Sequence, residues 1–158
     1  MRRYLIAAAV FAALALPSSA AAKGPASASI SGPGLGRSLA VSGQGEGGLS
    51  TPLGALVDLG GFFPQMYGQS PNPTFRARPH TVLWARYRIV YVVPGPNSIQ
   101  SRVVQDLYPY AKPVPFTYMK PGQSFWGTRT TLGGWFRGSR DLKRTLVRAG
   151  LPATAPTG

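Results

Sequence analysis

The chain contains no cysteine and a single histidine, His80. Disulfide bonds and cysteine nucleophiles are therefore excluded, and a zinc site of three or four nitrogen and sulfur ligands cannot be assembled within one chain. We expect no cofactor. Because no disulfide can brace the fold, its stability must come from packing, which a chain of 158 residues is long enough to provide.

Acidic residues are also scarce, since Glu46, Asp58, Asp106 and Asp141 stand against 17 lysines and arginines, most of them arginine. So few carboxylates leave little room for the paired acids of a glycoside hydrolase. The formal net charge of +13 favours anionic partners. We expect anionic cell-wall polymer or lipid headgroups, and nucleic acid less so; the alternative is that the charge serves solubility alone.

His80 leaves one enzymatic alternative open. It could act in a small secreted hydrolase with a serine and an acid, either Asp58 or Asp106. The G-x-S-x-G turn that presents the nucleophile in many serine hydrolases does not occur in the sequence. We therefore expect a non-catalytic protein, with the hydrolase as the alternative.

Long apolar runs are missing as well, and the longest covers only the 12 residues from Leu5 to Leu16. As a helix it would be about 18 Å long, shorter than the ~30 Å hydrocarbon core of a membrane. Positive charge at Met1 to Arg3 and small residues at Ala20 to Ala22 complete the layout of a secretory signal. We expect cleavage near Ala22/Lys23 and a secreted or cell-envelope protein, with no transmembrane span in the mature chain. Cleavage would lower the net charge by two units, to +11; the export route, general or twin-arginine, stays open.

The remaining sequence predicts a mainly β (α+β) fold, a single antiparallel β-rich domain with a short internal helix and a C-terminal amphipathic helix. After the signal peptide (1–22), residues 23–48 form a Gly/Ser-rich N-terminal segment with short strands. Residues 49–152 form the β-rich domain that ends in a helix, and residues 153–158 a disordered tail. The internal helix is expected over 53–59, ended by Gly60 and Gly61.

Strict alternation from Thr81 to Val93, with β-branched and aromatic residues, predicts a long strand. The turn at 94–98 is too short for anything but a hairpin, so the strand over 99–108 should pair antiparallel to the first. A third strand is expected over 116–119, and 125–136 should mix strand and loop.

The last helix is predicted from Arg140 to Ala149, capped by Ser139, with Asp141 in its first turn. Leu142, Leu146 and Ala149 share one face, and Gly150 fits a left-handed helix end. Arg140, Arg144 and Arg148 fall on the opposite side of the helix.

Two sets of residues are candidates for binding. The candidate anion-binding residues are Arg86 and Arg88, which interrupt an apolar strand face, together with Arg140, Arg144 and Arg148. Aromatic rings beside cations can stack on ligands, and the candidate aromatic surface residues are Tyr108, Tyr110 and Trp126. The alternative for the arginines is that they only form a solvated surface. The alternative for the aromatic rings is that they are buried in the core.

Several short stretches resemble small exported proteins of high-GC Gram-positive bacteria. They are 105–111 (QDLYPYA), 121–123 (PGQ), 133–136 (GGWF), 142–143 (LK) and 149–152 (AGLP). The resemblance covers the second half of the chain. That group has no assigned activity, so the resemblance implies an exported protein and no site residues.

Overall fold

The computed structural model describes residues 24–157. The predicted signal peptide and its cleavage site lie outside these residues. A six-stranded antiparallel sheet, in the order β2-β1-β3-β4-β5-β8, dominates the fold, and β6 and β7 form a separate hairpin. The strands are β1 (Ser27–Ser31), β2 (Leu39–Val41), β3 (Tyr87–Pro94), β4 (Gln100–Tyr108), β5 (Phe116–Met119), β6 (Ser124–Phe125), β7 (Arg129–Thr130) and β8 (Gly134–Arg137). The helices are α1 (Pro52–Leu59), α2 (Phe62–Tyr67) and α3 (Arg140–Arg148), with a 3-10 turn at Pro96–Ser98. The predicted β-rich α+β class is confirmed, and no helix within 24–157 is long and apolar enough to cross a membrane.

The three helices cover one face of the sheet, which we call the inner face. Tyr87, Ile89 and Tyr91 of β3 point into it, opposite Leu107, Gln105 and Val103 of β4. These side chains pack against apolar residues of all three helices in one continuous core. The alternation that predicts β3 therefore arises because one side of the strand is fully buried.

The N-terminal segment belongs to this same sheet. β1 pairs with β2 on one side and with β3 on the other. Ala28, Ile30 and Val41 are buried in the main core. At the other end of the chain, Ala155 packs on the same core and Pro156 is half-buried. Both flanks thus contribute to one packed unit.

β3 is shorter than the sequence predicts, because it begins at Tyr87 and residues 81–86 form an irregular segment. Trp84 has a φ of 61°, in the left-handed region that breaks a strand. Alternation of side chains continues through 81–86, since Leu83 is buried and Trp84 is exposed. The alternation of buried and exposed side chains continues before Tyr87 although the backbone there is not a strand. This explains why the predicted strand is too long.

The sequence also misses α2. Gly60 ends α1 as expected, but Gly61, with φ 70°, turns the chain and starts a second short helix. A Cβ on Gly61 would lie 2.3 Å from the Phe136 ring, so glycine is required there for space as well as for φ. Pro64 falls in the first turn of α2, where a missing N–H costs no hydrogen bond. Gly60 and Gly61, which the sequence predicts as the end of a helix, therefore form the turn between α1 and α2.

α3 agrees closely with its prediction. Leu142 and Leu146 are fully buried. The Leu151 N–H donates to the Leu146 carbonyl at 2.9 Å, and the Gly150 N–H to the Val147 carbonyl at 3.1 Å, with Gly150 at φ 119°. This pair of bonds is a Schellman motif, which satisfies the last carbonyls of the helix.

Candidate anion-binding face

The opposite side of the sheet, which we call the outer face, carries no helix among residues 24–157. Register places on it Ser27, Ser29 and Ser31 of β1; Arg88, Val90 and Val92 of β3; Arg102, Val104, Asp106 and Tyr108 of β4; Phe116 and Tyr118 of β5; and Trp135 and Arg137 of β8. Over β1 and β3 the surface is open: serines line one strand and half-buried valines the next.

The loop between α2 and β3, residues 68–86, which we call the covering loop, closes the other half of the outer face. Leu83 and Phe75 of this loop pack with Phe116 and Trp135 in a second apolar cluster. Phe75 also makes a β-bridge to Trp135, with backbone N–H to carbonyl distances of 3.0 and 2.8 Å in the two directions. The loop therefore shields the edge of β8.

Cations dominate this face. Arg88, Arg102 and Arg137 lie on it and are exposed, and Arg86 joins them just before β3. Asp106 is the only acidic side chain that the register places there within 24–157. One carboxylate cannot offset the arginines on this sheet surface, so the face carries an excess of positive charge.

Arg86 and Asp106 form an ion pair on this face, with Arg86 Nη1 3.7 Å from Asp106 Oδ2. Tyr108 lies beside them. Its own burial, and then the Asp106 carboxylate, raise the pKa of Tyr108, while the Arg86 and Arg78 guanidinium groups act in the opposite direction. Arg78, from the covering loop, thus belongs to the same electrostatic neighbourhood.

The arginines of α3 form a second, separate basic surface. Arg140, Arg144 and Arg148 are exposed, as the helical period predicts, but α3 packs on the inner face. The sheet therefore lies between these arginines and the pair Arg86 and Arg88, so the structure does not assemble the two groups into one site. On α3, the Asp141 carboxylate contacts Arg144 and offsets part of the charge.

The three aromatic candidates have different environments. Tyr110 is not a surface residue, because it is only 7% exposed. Its hydroxyl donates to the Pro152 carbonyl at 2.7 Å, and burial followed by the hydrogen bond with Tyr87 raises the pKa of Tyr110. Tyr108 is half-buried, and its ring lies 5.5 Å from the Trp135 ring on the outer face. The turn residues beside Tyr110 suggest exposure from sequence, but the Lys143 ammonium and the C-terminal segment cover it.

Trp126 is half-buried and holds the β6–β7 hairpin against the end of β3. Its indole N–H donates to the Pro94 carbonyl at 3.0 Å, and its backbone N–H to Ser101 Oγ at 2.9 Å. The Arg129 guanidinium lies 5.6 Å from its ring centroid. With both N–H groups bonded within the chain, Trp126 has a structural role, and its ring edge is a minor part of the surface.

His80 is exposed on the covering loop. The two acids that a hydrolase would need are held elsewhere: Asp58 accepts the Gly48 N–H at 2.6 Å, and Asp106 contacts Arg86. No group of three or more metal-ligating side chains occurs within residues 24–157. Among residues 24–157, His80 makes no hydrogen bond or ion pair with Asp58 or Asp106.

The sequence analysis misses three cations on the outer face or close to it: Arg78, Arg102 and Arg137. The alternation of β4 predicts that Arg102 points to the face away from the buried Val103. That Arg102 shares this face with Arg88 follows only from the pairing of β3 with β4 in the fold. Arg137 joins through the pairing of β8 with β5, a contact between strands distant in sequence from β3.

Comparison with protein-family models, with curated proteins and with solved structures finds no match to the chain.

Proposed function

We propose that the protein is exported and binds an anionic surface of the cell envelope, either acidic wall polymer or lipid headgroups, through the outer face of its sheet. One observation supports this above all. Arg86, Arg88, Arg102 and Arg137 share that face with a single carboxylate, Asp106. Guanidinium groups bind phosphate and carboxylate oxygens in a bidentate geometry, so their concentration on one surface favours an anionic partner.

The shape of the face fits an extended partner better than a small molecule. Arg102 pairs opposite Val92, four residues along β3 from Arg88, which separates the two arginines by about 13 Å along the strand. Between the two arginines lie Val90 and Val104, whose short side chains are half-buried. A polymer or a layer of headgroups can reach both cations at once, whereas a single small anion cannot.

The surface of α3 is the internal comparison for this proposal, because it carries three exposed arginines, lies on the other side of the sheet and includes Asp141. If the arrangement of charge matters, the sheet should bind and the helix should contribute little. If only total charge matters, both surfaces should contribute equally.

The test is a binding titration of poly(glycerol phosphate) with protein that begins at Lys23, which retains every element of the described fold. We expect Arg88→Gln with Arg102→Gln to weaken binding about 30-fold at low salt, since each arginine near an anionic surface contributes about 1 kcal/mol. The matched control, Arg140→Gln with Arg148→Gln, removes the same charge and should weaken binding less than about threefold. Binding should also fall steeply with salt, because exposed charges are screened over about 8 Å at physiological ionic strength. Equal losses from the two variants would contradict the proposal, and so would the absence of binding at low salt to both this polymer and anionic lipid vesicles.

A further inference from the structure

Two large apolar side chains are exposed next to the basic cluster. Trp84 is 58% exposed and Val82 is 65% exposed, both on the loop that covers part of the outer face. The other two tryptophans pack against aromatic rings: Trp126 against Tyr67 and Phe125, and Trp135 against Tyr108 and Tyr118. Trp84 thus presents an apolar surface to solvent that the fold could have buried.

Every second residue of the segment that carries Val82 and Trp84 is anchored to the rest of the protein. Thr81 Oγ1 donates to the Lys112 carbonyl at 2.8 Å, Leu83 is 4% exposed in the second apolar cluster, and Ala85 packs on the main core. Val82 and Trp84 fall between these anchored positions. Their projection is therefore a consequence of the fold and does not require a mobile loop.

The backbone at Trp84 is strained. A φ of 61° costs a bulky side chain of the order of 1–3 kcal/mol, and asparagine or glycine would adopt it more easily. Strain of this kind persists only where the surrounding structure fixes the backbone, as the anchored neighbours of Trp84 do here. Here it turns an indole ring outward, beside Arg86.

Cations flank the pair along the chain. Arg78 and Arg86 lie on the same loop and close to Tyr108, and Lys112 is tied to Thr81 through its carbonyl. Tryptophan is favoured at the boundary between headgroups and acyl chains, because its ring is apolar and its N–H can bond to polar groups. A polymer in water offers charge but no apolar layer, so an exposed valine and tryptophan gain little from it.

We propose that Val82 and Trp84 insert into the interfacial layer of an anionic membrane while the neighbouring arginines contact its headgroups. This inference rests on the proposed function and deepens it, because it selects lipid over wall polymer as the partner. It assigns a role to a loop that the strand pattern of the sequence would place within β3.

The experiment measures partition of the protein from Lys23 onward onto vesicles of phosphatidylglycerol and phosphatidylcholine in equal parts. Trp84→Asn should weaken partition about tenfold, the effect of withdrawing roughly 60 Å² of apolar surface from the bilayer. Asparagine tolerates the left-handed backbone, so the variant should stay folded. Leu132→Asn is the matched control, since Leu132 is also 58% exposed but lies on the β7–β8 connection; its partition should change less than twofold.

Two further readouts separate the possible failures. Lipids brominated on their acyl chains should quench the emission of wild-type protein and quench Trp84→Asn much less. Binding of poly(glycerol phosphate) should be the same for both proteins. Polymer binding without lipid quenching, or equal losses from Trp84→Asn and Leu132→Asn, would overturn the lipid assignment alone; no binding to either probe would overturn the proposed function as well.

Discussion

A pair of buried glutamines holds the helices to the sheet. Gln105 Nε2 donates to the Gly60 carbonyl at 3.0 Å and also to Gln65 Oε1, while Gln105 Oε1 accepts the Tyr91 hydroxyl at 2.8 Å. Gln65 Nε2 reaches the Gly134 carbonyl at 2.8 Å. Each side chain is fully buried and each amide is satisfied, as buried polar groups must be. The network therefore fixes the corner between α1 and α2 against β3, β4 and β8.

Replacing Gln105 with leucine should lower the free energy of unfolding by about 2–5 kcal/mol. The substitution leaves the Tyr91 hydroxyl and Gln65 Oε1 buried without partners, at about 1–3 kcal/mol each. Gln100→Leu, the same change at an exposed position on the same strand, should alter stability by less than about 0.5 kcal/mol. Urea unfolding measures both. A change at Gln105 as small as that at Gln100 would show that the network does not stabilise the fold.

The sequence gives no sign of this network. Gln105 stands in an alternating strand at a position that reads as inward-facing, where a polar residue is normally a poor fit. Its partners come from α2, which the sequence misses, and from a carbonyl in the Gly60–Gly61 corner. Gln105 and Gln65 are 40 residues apart in the sequence, and the network also uses the backbone carbonyl of Gly60. The pattern of side chains along the chain does not reveal contacts of this kind.

At the level of secondary-structure elements, the two longer helices begin in different ways. Thr51 caps α1, since its Oγ1 accepts the Gly54 N–H at 3.1 Å. Ser139 occupies the cap position of α3, but its side chain makes no capping bond, and its buried Oγ has no hydrogen-bond partner within 24–157. The sequence predicts Ser139 as a helix cap, but of these two residues only Thr51 makes a capping bond.

Alanine substitutions should separate the two caps. Thr51→Ala should lower the free energy of unfolding by about 1 kcal/mol, the usual contribution of a capping side chain. Ser139→Ala should change it by less than about 0.5 kcal/mol, because no bond is lost and a buried unpaired hydroxyl is removed. Thermal or urea unfolding of the two variants, side by side, is the measurement. A larger loss at Ser139 than at Thr51 would contradict the described geometry of α3.

Elements with a strong period are the ones that the sequence predicts well. β4 and α3 begin and end within a residue or so of their predicted bounds, because one side of each is buried and the other is more exposed. β5 also matches its predicted bounds, although both of its sides are largely buried. β3 is overestimated because Leu83 and Trp84 continue the alternation without the backbone of a strand. Burial sets the pattern, whereas the backbone dihedral at a single residue decides where the strand begins.

For the whole molecule, charge is divided between two sides. Sequence reasoning groups Arg86 and Arg88 with the arginines of α3, because composition cannot tell which surfaces face each other. The sheet separates them and brings in Arg102 and Arg137 instead. The proposed anion-binding face is therefore a property of strand order, and the excess of positive charge is the part of it that the sequence alone predicts.

The most direct test of the central claim is arginine footprinting. Protein from Lys23 onward is treated with phenylglyoxal, with and without saturating phosphatidylglycerol vesicles, and modification at each arginine is read by mass spectrometry. The outer face predicts protection of Arg88, Arg102 and Arg137, while Arg140 and Arg148, exposed on the far side of the sheet, should react as in the free protein. Protection centred on α3, or equal protection of all five arginines, would contradict the account.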